Sequence, residues 1–408
     1  MSTREPHASI GGSQPTPTNE GHVDRLSPVV FNDAWGSHVA IASLQGRDIP
    51  TELPESELWM GAHESGPSGT NRAGGSHLAA LIAADPEGEL GAPCVERHGP
   101  RLPFLLKVLA PGRAISIQAH PTGTQARELR ATTGDEVYVD DSAKPELLLA
   151  IAPFEVFVGM RAHTEVQQIA ARLDVPRFSA LVAATADADE PARALLAEVL
   201  ATPPDRVPDL VRQVVAACVR LGEDTDEPGE AAAAVVDVAE MHPDDIGLVV
   251  LLLMHHWVLA PGEYVDVAAG VLHSYVRGLG IEVLANSDNV VRAGLTSKAV
   301  NVPELLRIVD PEAGGVAGRA LTVAPGVERF ESASDRFLLH RVAPGRELPG
   351  AGGPRIVFCL RGRVSLSTER ETLVLEDAES AFLTFRDCDV RLDGVGEVYV
   401  ASVPDLDG

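Results

Sequence analysis

Residues 115–121 read Ile-Ser-Ile-Gln-Ala-His-Pro. As a strand, they put Ile115, Ile117 and Ala119 on one face and Ser116, Gln118 and His120 on the other. That polar face can line the interior of a barrel or cleft; it can equally be an ordinary solvent-facing side, which amphipathic strands commonly have. A second imidazole lies far downstream. Pro261 and Gly262 make a tight turn that opens a strand, Gly270 permits another turn, and His273 starts the next strand, aimed into a small barrel. Taken alone, a histidine in such a hairpin is more often a satisfied structural residue than a ligand. A carboxylate is available at Glu146, at the head of the apolar run 147–149. Gln118, His120, Glu146 and His273 then offer two imidazole nitrogens and two oxygens, a donor set suited to one Zn²⁺ per chain. Only one donor is anionic, so such a centre keeps positive charge that can stabilise a developing oxyanion.

Residues 280–298 supply cations on a polar, turn-forming stretch that follows a strand. Arg292 can make forked hydrogen bonds to a phosphate or an enediolate, and Lys298 lies six residues on. The bland alternative is an internal salt-bridge network of Glu282, Asp288 and Arg292.

The elements that must position these residues are mainly β. Between about residues 28 and 160, short apolar runs (39–44, 102–109, 114–120, 147–158) are punctuated by Gly and Pro. From 164 to 256 alanine-rich amphipathic segments replace them, the clearest placing Leu210, Val211, Val214, Val215, Cys218 and Leu221 on one helical stripe. The apolar stretch 246–259, too short for a membrane span, reads as a buried helix. Strand texture returns at Pro261. From about 320 onward, alternation at 363–367 and 372–376 predicts a compact antiparallel sandwich or jelly roll. The chain has 408 residues, 45% of them hydrophobic, enough for two or three domains. A net charge of −26 argues against duplex DNA or an anionic membrane as partner, though not against a small anionic substrate. Cys94, Cys218, Cys359 and Cys388 are far apart and form no CxxC, so a disulfide framework or thiolate zinc site is not expected; a reduced, cytoplasmic setting is. Residues 1–24 lack an apolar core of signal-peptide type and are expected to be a disordered tail.

Several segments, in order, closely resemble the signature segments of type I phosphomannose isomerases, members of the cupin superfamily: SIQAHP (116–121), KPELLLAIAPFE (144–155), PGEYVDVAAGVLHSY (261–275) and EVLANSDNVVRAGLTSK (282–298). ELWMGAHESGPS (57–68), LPFLLKVL (102–109), HPDDIGLV (242–249) and Trp35-Gly36-Ser37 fit the same family, over about residues 25 to 310. Gly262, Gly270 and His273 match the glycine and histidine positions of the second cupin motif, whose usual proline is here Ala268.

The resemblance implies a mainly β fold with an inserted α-helical domain and two cupin-like jelly-roll or barrel domains. On this chain the expected units are 25–160 plus 258–320 (catalytic cupin), 161–257 (helical) and 321–408 (C-terminal cupin-like). It further implies zinc held by Gln118, His120, Glu146 and His273, Arg292 as the catalytic arginine, and interconversion of mannose 6-phosphate and fructose 6-phosphate. That reaction moves a proton between two carbons through a cis-enediol. Glu282 is the first candidate for the shuttling base and Lys144 its rival; Ser116, Lys107, Lys298 and Asp288 are candidate substrate contacts. The expected partner is a small sugar phosphate, with no nucleic acid or membrane, and a monomer is expected.

One departure stands out. Family members usually read Asp-x-Asn-His-Lys-Pro-Glu before the zinc glutamate, whereas residues 140–146 here are Asp-Asp-Ser-Ala-Lys-Pro-Glu, with Ala143 in place of the histidine. Two further readings follow: a catalytically weak sugar-phosphate-binding paralogue that keeps fold and zinc, and another metal-dependent cupin enzyme such as an Fe²⁺ oxygenase. His340 is the sole histidine of the C-terminal unit, so no second metal centre is expected there.

Overall fold

The computed structural model describes residues 22–72, 75–134 and 137–404. Residues 1–21, where most of the expected disordered tail falls, lie outside them. Val23 and Asp24, also assigned to that tail, belong instead to the strand Val23–Ser27, which pairs with Glu379–Leu383.

Among the described residues the strands form three antiparallel sheets. The seven-stranded sheet runs Val316–Arg319, Glu263–Val267, Glu146–Ala150, Gly280–Ala285, Phe104–Leu109, Glu57–Met60, Val29–Phe31. The five-stranded sheet runs Val291–Gly294, Ile117–Ala119, His273–Arg277, Phe154–Met160, Met254–Leu259. A ten-stranded sheet is built from the C-terminal strands together with Val23–Ser27 and Gly69–Thr70.

Period-two alternation decides what lies between the sheets. Leu58, Met60, Phe104, Leu106, Val108, Leu147, Leu149, Ile281 and Val283 share one core with Ile356, Phe358 and Phe382 of the ten-stranded sheet. The opposite face of the seven-stranded sheet sends Leu109, Leu148 and Val265 into a second core with Phe154, Val156, Val158 and Tyr275 of the five-stranded sheet. Ile117, Ala119, Phe157 and Met160 turn outward to meet the helices. The two smaller sheets therefore face each other, with the helices beyond one and the ten-stranded sheet beyond the other.

The helical stripe at 210–221 is found in Val207–Leu221, with Leu210, Val211, Val214, Cys218 and Leu221 buried. Other expectations are corrected. The stretch 246–259 is not one helix: Gly247–Leu251 is helical, and Met254–Leu259 is an edge strand paired with Phe154–Met160. Helical texture thus ends before 257. The run 39–44, read as β, holds the short helix Ala40–Leu44, started by the Ser37 hydroxyl accepting from the Val39 and Ala40 amides. The supposedly β-rich stretch 28–160 also contains helices Leu78–Ala84, Pro86–Leu90, Ala92–His98 and Gly123–Thr133. Asp85 caps Pro86–Leu90, and Thr122 closes a capping box with Gln125, so turn-like punctuation here marks helix starts.

Candidate functional site

The same alternation that sends leucines outward points polar residues inward at one end of the facing sheets. On the five-stranded sheet Gln118 is in register with both His273 and Arg292, its neighbours on either side. On the seven-stranded sheet Glu282 is in register with Lys107, Lys107 with Trp59, and Leu284 with Glu146. Each polar row continues into the apolar core through Leu148 and Leu109. The polar end opens into a cleft of about 820 Å³ lined by Ser116, Gln118, Lys144, Glu146, Glu282 and Arg292, among others.

At the floor, His120, Glu146 and His273 are buried, and one ligand atom from each lies within 4.8 Å of the others. Both imidazoles are oriented by the backbone. His120 Nδ1 donates to the Asn289 carbonyl at 2.6 Å and His273 Nδ1 to the Val271 carbonyl at 3.0 Å, which leaves each Nε2 with its lone pair facing the cluster. The buried His120 Nε2 faces Glu146 Oε1 at 3.2 Å without forming a hydrogen bond to it, two lone-pair atoms turned toward one point. Gln118 Nε2 approaches His273 Nε2 at 3.3 Å. This donor chemistry, neutral imidazoles plus one carboxylate and one amide, fits a borderline cation such as zinc. Burial, reinforced by the Lys144 charge, pulls His120 down to about 4, so it stays a neutral donor. Burial alone would raise Glu146, but Lys144 and the His120 imidazole outweigh it and hold the carboxylate well below its ordinary range.

Above the floor, Lys144 Nζ contacts Glu146 Oε1 at 2.9 Å. Lys107 Nζ bridges Glu57 Oε1 at 2.9 Å and Glu282 Oε2 at 2.7 Å, almost out of solvent. Burial would lower Lys107, but Glu282, Glu57 and Glu146 together raise it above its ordinary value. Glu282 is lifted by burial to about 7, with Lys107 opposing and Glu146 adding to the rise. Asp288 pairs with His63 at 3.4 Å and Glu282 with Lys107, so the internal Glu282–Asp288–Arg292 network is not what forms. Arg292 is half-buried; burial lowers it, and among the described residues no carboxylate offsets the effect. Ser116 lines the cleft, and Lys298 stands exposed at its rim.

Every sequence-predicted site residue reaches this cleft or its floor. Sequence reading missed Glu57, Tyr275, Arg113 and Asn289. Tyr275 was within reach, because it lies two residues beyond His273 on the same strand face, and its hydroxyl approaches Glu146 Oε2 at 3.5 Å. Glu57 carries no such signal, since only strand pairing brings it to Lys107.

Mostly β, with imidazole and carboxylate donors sunk beneath a cation-lined cleft, the molecule is of the class whose buried donor cluster could hold a metal ion under an open polar cleft. The description "Phosphomannose isomerase type I, catalytic domain" matches residues 23–163. Mannose-6-phosphate isomerase of Escherichia coli (strain K12) is 32% identical over 392 residues, 92% of this chain and 98% of that protein. That of Salmonella typhimurium is 33% identical over 392 residues, again 92% and 98%. A crystal structure of an alanine variant of phosphomannose isomerase from Salmonella typhimurium superposes with a TM-score of 0.84 at 29% identity, over 94% of this chain and all (100%) of that one. A mannose 6-phosphate isomerase bound with zinc and yttrium matches with a TM-score of 0.83 at 29% identity, over 94% and 100%. The chain belongs to the type I mannose-6-phosphate isomerase family. No helix among the described residues is long and apolar enough to cross a membrane.

Proposed function

We propose that the chain interconverts mannose 6-phosphate and fructose 6-phosphate, with one zinc ion held by Gln118, His120, Glu146 and His273. The observation that carries this reading is the convergence of two backbone-anchored imidazoles and a carboxylate within 4.8 Å, directly beneath a cleft containing an uncompensated arginine. When bound, zinc supplies a fixed positive charge that orders the polar floor and favours electron-rich sugar oxygens. Gln118 and Glu146 hold the floor from opposite sheets, so substrate enters a preformed slot.

Glu282 is the shuttling base. Its carboxyl, raised to about 7, can take a proton from one carbon and return it to the neighbouring one in a cis-enediol path. Lys107 orients it. Held between two carboxylates, Lys107 is better suited to that task than to the substrate contact expected from sequence. Arg292 stabilises the enediolate charge, and Lys144, beside Glu146, moves protons between the two sugar oxygens. Lys298, with Ser116 and the exposed Arg113, meets the phosphate at the rim, while Asp288 meets sugar hydroxyls. Ala143 leaves proton exchange to Lys144 and Glu282.

In this reading the two facing sheets are a cupin-type jelly roll. The helices between Met160 and Met254 are its insertion, and the ten-stranded sheet is a second cupin-like unit, largely from residues 321–408. The substrate is a free sugar phosphate, the working form a monomer, and the compartment the cytoplasm.

A coupled assay of fructose 6-phosphate formation tests the proposal. Turnover is expected, lost on treatment with a strong chelator and restored by Zn²⁺. Binding of mannose 6-phosphate without turnover, or chelator-insensitive turnover, would sink it.

A further inference from the structure

Asn289 is 1% exposed and lies between two parts of the site that the chain keeps far apart. Its side-chain oxygen accepts from the Val139 amide at 3.0 Å and the Asp140 amide at 3.4 Å. Its Nδ2 donates to the Asp140 carbonyl at 2.8 Å, to Asp140 Oδ1 at 3.1 Å and to the Ser142 carbonyl at 3.0 Å. Its own backbone carbonyl accepts the His120 Nδ1 proton at 2.6 Å. Asp140 Oδ1 also accepts from Ser287 Oγ and the Ser142 amide, closing the knot.

We propose that Asn289 is a positioning residue that locks the segment from Val139 to Ser142, and hence Lys144 and Glu146 just beyond it, to the imidazole of His120. The inference rests on the reading of His120 and Glu146 as metal ligands and deepens it.

The argument is one of donors and acceptors. The segment presents amide N–H groups and carbonyls together, so a clamp must both accept and donate from one short planar group. Asparagine alone does this at that length. Aspartate has no donor, and glutamine reaches one methylene too far. Because the clamp is buried, each bond left unmade exposes an unsatisfied polar group to a low-dielectric interior. Its stiffness is passed along the backbone to the Asn289 carbonyl, which fixes the tautomer and tilt of His120. Thus a metal ligand from one sheet and the Lys144–Glu146 pair from the other keep one relative geometry, although residues 140–143 lack the histidine usual in the family.

The test uses full-length protein carrying Asn289→Asp and Asn289→Ala, compared with wild type by chelator-competed zinc affinity, kcat, KM and hydrogen exchange over residues 137–146. Zinc should slow exchange in that segment of the wild type. In Asn289→Asp this protection should vanish, zinc affinity should fall about 10- to 100-fold, the effect typical of losing a partner that orients a ligand, and kcat should fall with KM nearly unchanged. Wild-type zinc affinity and kcat in a folded Asn289→Asp protein would overturn the proposal. If both variants fail to fold, Asp140→Ala cuts the same knot from the loop side: reduced zinc affinity and kcat there sustain the proposal, and wild-type values overturn it. A wild type that binds no zinc at all would bring down the metal reading beneath it.

Discussion

Arg292 and Lys107 are both cations in one cleft, yet their surroundings assign them different work. Arg292 is half-buried with no offsetting carboxylate among the described residues, which suits its charge to a substrate oxyanion. Arg292→Ala should lower kcat by about 10²- to 10³-fold, on the order of 3–4 kcal/mol of transition-state stabilisation, with zinc content unchanged. Steady-state kinetics beside metal analysis checks this, and unaltered kcat would remove Arg292 from catalysis. Lys107 is spent on Glu57 and Glu282. Lys107→Met leaves the buried Glu282 and the partly buried Glu57 without their shared cation, and stripping a buried carboxylate of its partner typically costs about 3–5 kcal/mol. Denaturant unfolding should show a loss of that size, and kcat should fall because Glu282 is no longer held. A variant as stable as wild type would show that the pair contributes nothing to the fold.

At the scale of elements, the join between helices and sheet depends on a buried charge. Arg161, just past the strand Phe154–Met160, forks onto the Glu227 carboxylate at the start of helix Glu227–Ala239, and Glu227 Oε1 also accepts the His256 amide at 3.0 Å. Burial would raise Glu227, but Arg161 and that amide outweigh it and hold the carboxyl below its ordinary value. A depressed carboxyl stabilises the folded state above its unfolded pKa and loses that contribution as pH falls through its folded pKa. Thermal melts should therefore separate wild type from Glu227→Gln near neutrality, and the gap should close as pH drops from about 5 to 3. A gap that stays constant with pH would exclude the linkage.

Across the whole molecule, the sheet that carries the cleft is backed by another that does not line it. The outer face of the seven-stranded sheet, whose inner face carries Lys107, Glu146 and Glu282, is covered by Ile356, Phe358 and Phe382. Phe358 is fully buried (0% exposed). Phe358→Ala should destabilise by about 3–5 kcal/mol through lost transfer and cavity terms, while zinc content and KM of the folded protein stay near wild type. Denaturation midpoints and metal analysis together test this. Loss of zinc from folded Phe358→Ala would mean the outer core also shapes the floor.

Local chemistry settles much of this protein. Alternation in 115–121 placed Gln118 and His120 on one face, the glycines at 262 and 270 adopt the positive φ of 87° and 86° that their turns require, and the stripe at 210–221 forms its helix because period and burial agree. Short apolar runs carry no such information: 39–44 and 246–259 fit helix or strand equally until neighbours supply partners for their backbone. Nor does linear order reveal that Glu57 meets Lys107, or that Asn289 ties His120 to Ser142. Those contacts arise from strand register and from loops closing over long separations. Residue types along the chain determined which groups are available; only the packing of two sheets decided which of them share a buried, low-dielectric space, where charge and hydrogen bonding acquire their strength.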